Sequence, residues 1–183
     1  MARKIRVGMI GLGSISFAHE AGFSEMGETC EIVAMCDING EEVNSRIGMY
    51  EGSKEYTRYQ ELLDNPDVDL VDITVPHDMH YEIAKAALEK GKHVLVEKPI
   101  TVKSEQGAEL IALAKKAKVK FSVAENTRFV TAYLKAEQIL TEGLLGNIWT
   151  VRTLIAGSEV HRLKDPNLWH GKLPYGGVIL DSA

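Results

Sequence analysis

Cysteine is scarce, with two thiols in 183 residues. So few exclude a disulfide scaffold, and since Cys30 and Cys36 lie in or beside an apolar run, they read as reduced, buried thiols rather than metal ligands. Charge of one sign is scarce too. The 21 Lys+Arg against 26 Asp+Glu leave a formal net charge of −5, which argues against a nucleic-acid partner. No apolar run approaches the roughly 18 residues of a membrane span. Met1-Ala2-Arg3-Lys4-Ile5-Arg6, followed by Val7 to Ile10, has the basic-then-apolar order of a signal peptide, but Gly11, Gly13, Ser14 and Ser16 break the run and His19-Glu20 follow at once. A cytoplasmic protein is therefore expected. Internal repeats and low-complexity linkers are also missing, which leaves a chain of ordinary globular composition, 45% apolar and long enough for one complete domain and a smaller addition.

The apolar runs that are present are short and regularly spaced. Ile5 to Ile10 ends in a glycine turn, as a strand buried on both faces of a parallel sheet should. A helix is expected from about Ser14, then a strand over 31–36, a helix over 41–50, a weak strand near 55–57, a strand over 70–75, a helix over 78–90, a strand over 93–96, a helix over 104–117 and a strand over 120–123. Six strands alternating with helices predict an α/β fold, a doubly wound parallel sheet. Asp78 and Ser104 are placed to cap their helices and Gly91 to take a left-handed position after one, while Ile83, Ala84, Ala87 and Leu88 form one apolar face.

The alternation stops after about Glu125. A helix over 133–142, a Gly-Leu-Leu-Gly turn and a long strand over 147–155 follow, and another apolar run, Val178 to Leu180, begins close to the last residue. Residues 1–125 are thus expected to form a dinucleotide-binding domain and 126–183 the beginning of a second, truncated one. On that reading the sequence is the N-terminal portion of a longer protein.

Three features carry chemistry. Gly11-Leu12-Gly13-Ser14-Ile15-Ser16 joins the first strand to the first helix, where a dinucleotide pyrophosphate can rest on free N–H groups of the helix start. Gly11 permits the tight turn and Gly13 lets backbone approach phosphate, whereas Ser16 replaces the third glycine of the usual fingerprint and is expected to loosen helix packing slightly. Asp37 follows Gly13 by 24 residues and ends the second strand, close to the spacing of a carboxylate that accepts from ribose hydroxyls. The competing role is a cap on the next helix. An anion here repels a 2′-phosphate, and neighbouring Ile38 and Asn39 bring no cation, so NAD is favoured over NADP. Glu97-Lys98-Pro99 ends the fifth strand, on the edge where ligands of such sheets collect. A cis Lys98–Pro99 peptide is expected in that turn. His77 and His80 have the spacing of a metal pair on a helix, yet no third ligand is near in sequence and no metal is expected.

Together with His19, Thr74-x-Pro76 and His80, Gly91-Lys92-His93-Val94, Asn126-x-Arg128-Phe129 and Gly176-Gly177-x-x-x-Asp181, these motifs closely resemble the Gfo/Idh/MocA family of oxidoreductases over nearly the whole chain. The resemblance implies a Rossmann domain followed by a second α/β domain that covers a small polyhydroxylated substrate and builds a homo-oligomer. It further implies hydride transfer between nicotinamide and a hydroxyl-bearing carbon of a sugar, cyclitol or related polyol. Gly11, Gly13, Ser14, Ile15, Asp37, Thr74, Pro76, His80, Glu97 and Lys98 would hold the cofactor. Lys98 and Asp181 would be catalytic, with Asn126, Arg128 and Trp169 joining them at the substrate. In the family the proton partner is the histidine of an Asp-x-x-x-His pattern, and counting from Asp181 it would fall at position 185, so the chain by itself is expected to bind NAD and turn over little. Two alternatives stand beside this reading. One is a cofactor-binding or regulatory homologue without turnover; the other is an S-adenosylmethionine-dependent methyltransferase, against which the Glu-Lys-Pro turn speaks.

Overall fold

The computed structural model describes residues 3–152 and Leu154. Its elements are β1 (Ile5–Ile10), α1 (Ser16–Glu25), β2 (Cys30–Cys36), α2 (Gly40–Ile47), β3 (Lys54–Tyr56), α3 (Tyr59–Asp64), β4 (Leu70–Ile73), α4 (His80–Glu89), β5 (His93–Glu97), α5 (Ser104–Ala117), β6 (Phe121–Ala124) and α6 (Thr131–Thr141), with single 3₁₀ turns over His77–Met79 and Asn126–Phe129. All strand pairs are parallel, in the order β3-β2-β1-β4-β5-β6. The order reverses between β1 and β4. That is where the crevice of a doubly wound sheet opens.

The period-two alternation of the strands explains the two cores. Val7 and Met9 of β1 pack on one face with Leu12, Ile32, Met35 and Val43, while Ile10 packs on the other with Leu62, Val71, Ile73, Ile83 and Leu88. Each fully buried Leu or Ile contributes roughly 1.5–3 kcal/mol relative to exposure. Gly8 shares the second face because nothing larger fits: a Cβ there would lie 2.8 Å from Leu62 Cδ2 and 3.0 Å from Val68 Cγ1. The predicted apolar face of α4, Ile83, Ala84, Ala87 and Leu88, is buried throughout, and Gly91 takes φ +73° just beyond it.

Three local expectations need correction, and one helix is added to them. Asp78 does not cap a helix: it lies inside the 3₁₀ turn, and α4 starts after Met79 without a side-chain cap. Ser104 is the first residue of α5 rather than its cap, which is Lys103, and its hydroxyl meets Glu105 instead. Helix α3 was absent from the sequence reading because six residues are too few to display a 3.6-residue period. The long strand expected over 147–155 is not formed in its described part, residues 147–152 and Leu154, which pair with no strand among the described residues, and Trp149 is 93% exposed. An unpaired strand leaves its backbone groups without partners. Cys30 and Cys36 are free and buried as expected, and burial pushes the Cys36 thiol up to about 12, helped by Asp37.

Candidate functional site

The glycine turn leaves β1 at Gly11, whose φ of +90° and whose missing Cβ are both required, since a Cβ would sit 2.7 Å from the Thr74 carbonyl oxygen. The turn is pinned from three sides. Thr74 Oγ1 donates to Gly11 O at 2.5 Å, the Leu12 N–H donates to Asp37 Oδ2 at 2.7 Å, and Ser16 Oγ donates to Gly13 O at 2.7 Å. Beyond it the amides of Gly13, Ser14 and Ile15 find no acceptor among the described residues, and a Cβ on Gly13 would meet only open space. Three free donors before a ten-residue helix fit a diphosphate.

Ser16 corrects its sequence reading. It is fully buried and accepts from Arg46 Nη1 at 2.7 Å, so the hydroxyl tightens the junction between α1 and α2 instead of loosening it. Arg46 also donates to Glu20 Oε1 at 2.7 Å, to Leu12 O at 2.5 Å and to Glu42 Oε2 at 3.1 Å, and it stacks over the Phe17 ring at 3.8 Å. One buried guanidinium thereby braces the floor of the turn.

Asp37 stands at the end of β2, its other oxygen accepting from the Asn39 N–H at 2.8 Å. The competing cap role belongs to Asn39, which accepts from the Glu41 N–H at the start of α2. Asp37 thus has a structural task that the sequence did not reveal, holding the glycine turn through Leu12. Nearby, the Asp37 N–H donates to Tyr56 O at 3.3 Å, which brings the turn after β3 alongside.

These strand ends enclose a cavity of about 760 Å³. Gly11, Gly13, Ser14, Ile15, Asp37, Thr74, Pro76, Glu97 and Lys98 all line it, so the fold collects nine of the predicted cofactor residues at one crevice. His80 does not line it. It is buried behind, with Nδ1 2.7 Å from Pro99 O and Nε2 2.9 Å from Val75 O, linking the two loops that form the cavity wall. Burial pushes its pKa down, against the pull of those two carbonyls, and a neutral ring donates to only one of them. Asn126 and Arg128 lie in the exposed turn before α6, where the Arg128 guanidinium sits 5.6 Å from its neighbour Phe129's ring centre, and neither lines the cavity. Trp169 and Asp181 lie outside the described residues. Ile38 and His77 also line the cavity, as do Thr57, Arg58 and Tyr59, to which the sequence reading gave no role. Arg58 carried a signal: it occupies the start position of α3, where Ser, Thr, Asp or Asn are preferred, without capping.

The Lys98–Pro99 peptide is cis, as expected. Lys98 follows β5 directly, its backbone N–H donating to Glu97 Oε2 at 2.9 Å. The Glu97 Oε1 atom faces His19 Nε2 at 3.1 Å, and His19 Nδ1 lies 3.0 Å from both oxygens of fully buried Asp72. Burial alone would lower the His19 pKa, but the hydrogen bonds to Asp72 and Glu97 and their charges raise it to about 10. A histidine raised on folding contributes stability that is complete below its unfolded value of about 6.5 and is lost as pH climbs through the folded value. The melting temperature is therefore expected to fall between pH 7 and 10. In a His19→Gln variant that slope flattens, as scanning calorimetry across the range will show.

The model of the Gfo/Idh/MocA oxidoreductases, described as an oxidoreductase family with an NAD-binding Rossmann fold, matches residues 5–125, the stretch that builds the crevice. The chain belongs to this family. Among its Gfo/Idh/MocA relatives, the D-xylose 1-dehydrogenase (NADP(+)) of Hypocrea jecorina is 31% identical, the match taking in 82% of this chain and 41% of the relative. The inositol 2-dehydrogenase of Salmonella paratyphi B is 28% identical over 78% of this chain and 43% of the relative. The crystal structure of the WlbA dehydrogenase from Bordetella pertussis in complex with NADH and UDP-GlcNAcA superposes with a TM-score of 0.76 at 26% identity, covering 80% of this chain and 45% of that one. The chain thus spans less than half the length of each. Membership in the Gfo/Idh/MocA family displaces the methyltransferase alternative, whose sheet shares the glycine turn and acidic strand end but not Glu97-Lys98-Pro99. No helix among the described residues is long and apolar enough to cross a membrane.

Proposed function

We propose that this chain forms the cofactor half of a dehydrogenase that moves hydride between a nicotinamide and a hydroxyl-bearing carbon of a sugar, cyclitol or related polyol. The observation that supports this reading best is the position of Lys98. It lines the same crevice as the free amides of Gly13, Ser14 and Ile15, so a dinucleotide anchored at the turn and extended along the strand ends reaches the lysine. The dinucleotide supplies only the hydride acceptor or donor. The protein supplies the remainder. The amides and the start of α1 take the diphosphate charge, and Asp37 takes ribose hydroxyls with the lone pairs left over from Leu12 and Asn39. Lys98 donates to the reacting oxygen and stabilises the negative charge that grows there as the hydroxyl proton departs. Asp181, with residues of the second unit beginning near 126, completes the substrate side. NADH formation by the complete dehydrogenase across a panel of inositols and aldoses tests the reaction, and failure of this chain to bind NADH in a fluorescence titration would end it.

NAD is the proposed cofactor because the Asp37 carboxylate repels a 2′-phosphate. A second reading, NADP, is favoured by Arg58, whose guanidinium lies on the adjoining turn with its side chain 70% exposed. Titration with NADH and NADPH decides between them. The expected result is tighter NADH binding, with Asp37→Ala weakening it about tenfold through the lost ribose contacts and the loosened Leu12 amide, a loss worth about 1.4 kcal/mol. The same change is expected to leave NADPH binding unchanged or improved. Equal losses for both cofactors would show that Asp37 only shapes the turn.

A further inference from the structure

His19 takes no part in the proposed chemistry, yet it stands between two carboxyl groups at the edge of the crevice. It comes from α1, the helix behind the glycine turn, and reaches across the sheet ends to Asp72 of β4 and Glu97 of β5. Its side chain is 11% exposed, Asp72 is not exposed at all, and Glu97 is 12% exposed. The groups that face it are these two acids; burial pushes the Asp72 pKa up while the hydrogen bond and charge of His19 pull it back, and as carboxylates both accept only. A neutral imidazole has one N–H and would set a lone pair against carboxylate oxygens about 3 Å away. The geometry therefore calls for the doubly protonated ring, one N–H for each acid. With its remaining oxygen Glu97 holds the Lys98 backbone N–H at 2.9 Å. A continuous chain of contacts thus runs from the cofactor-cradling helix through His19 and Glu97 to the turn that carries the lysine.

We propose that His19 is a positioning residue for Lys98: as a charged strut between Asp72 and Glu97 it fixes the Glu97 carboxylate, and through it the Lys98 turn, relative to the helix that grips the cofactor. This rests on the reading of Lys98 as the group that meets the substrate oxygen. Without the imidazolium, two buried carboxylates face one another with nothing between them, and Glu97 leaves its place. Removing one of those charges should then restore the turn, which a role in packing alone would not allow.

The test needs no substrate. In protein with ¹⁵N-labelled histidine, the ring shifts of His19 report its protonation directly. In protein whose lysines are reductively methylated with ¹³C, the Lys98 signal, identified by its loss in Lys98→Arg, reports the turn. Both nitrogens of His19 are expected to stay protonated at pH 8, and Lys98 to give one narrow line. His19→Gln is expected to move or split that line by more than its width while NADH affinity changes less than threefold. His19→Gln combined with Asp72→Asn is expected to bring the line back toward its original position. A His19 ring that titrates near pH 6.5, or a Lys98 line unmoved in folded His19→Gln, overturns the proposal. The ring titration decides the matter even where the variant does not fold. A Lys98→Met protein that keeps full turnover would instead defeat the functional reading while leaving the coupling between His19 and the turn measurable, so the two failures are separable.

Discussion

Replacing Lys98 by methionine in the complete dehydrogenase of which this chain is the proposed cofactor half is expected to cut the rate of NADH formation by roughly 10²- to 10³-fold, with any polyol that supports the reaction, the range seen when one donor to a developing oxyanion is removed. NADH affinity is expected to change less than threefold. The separation follows from the geometry. The diphosphate anchors are backbone amides of Gly13, Ser14 and Ile15 on the far side of the crevice, and the Lys98 turn is held by its own N–H to Glu97, which methionine retains. Methionine nearly matches the length of lysine without its donors or charge, so the loss reads the ammonium rather than the packing. An interaction made only as charge develops lowers kcat and kcat/KM together. A variant that loses only KM would place Lys98 in substrate binding, and one with unaltered kinetics would support the homologue without turnover.

The largest stability effect is expected at Arg46. It is 4% exposed and its closest acidic partner, Glu20, is 5% exposed, so truncating Arg46 to alanine leaves a buried carboxylate with no cation. Breaking a buried pair from one side costs about 3–5 kcal/mol. For a chain of this size each kcal/mol shifts the melting temperature by roughly 2–4 °C, so a fall on the order of 10 °C is expected in calorimetry. Since Arg46 also holds Leu12 O and Ser16 Oγ, the glycine turn loosens and NADH binding weakens with it. Combining Arg46→Met with Glu20→Met removes both charges and is expected to recover most of the stability but not the affinity. Recovery of both would mean that the turn does not depend on the guanidinium.

Much of this was legible in the order of residues because the signals were local. The short apolar run before Gly11, the acid ending β2 and the Glu97-Lys98-Pro99 turn each announce a strand end, and parallel strands must place such ends on one edge. The turn-and-strand grammar therefore gathered nine of the candidate residues at the one crevice that the structure shows them lining. It failed where a side chain had a non-local choice. Ser16 stands at the place of a glycine, and its tightening role exists only because Arg46 arrives from 30 residues away. His19, Asp72 and Glu97 look unrelated along the chain and meet only when the fold brings the His19 side chain of α1 to β4 and β5. Asp78 and Ser104 satisfy the residue preferences of caps, but the backbone entered each helix at a different residue. Arg58 and Tyr59 reach the crevice because β3 pairs with β2, a consequence of register.

By itself, the sequence determined the alternation of strands and helices, the glycine at the turn after β1 where φ is positive, and the lysine at the end of β5. Those follow from steric and hydrophobic preferences that act within a few residues. Only the tertiary structure decided which buried charges face one another, for that depends on how helices cross the sheet. The resulting networks around His19 and Arg46 connect the cofactor cradle to the lysine turn on one side and to α2 on the other.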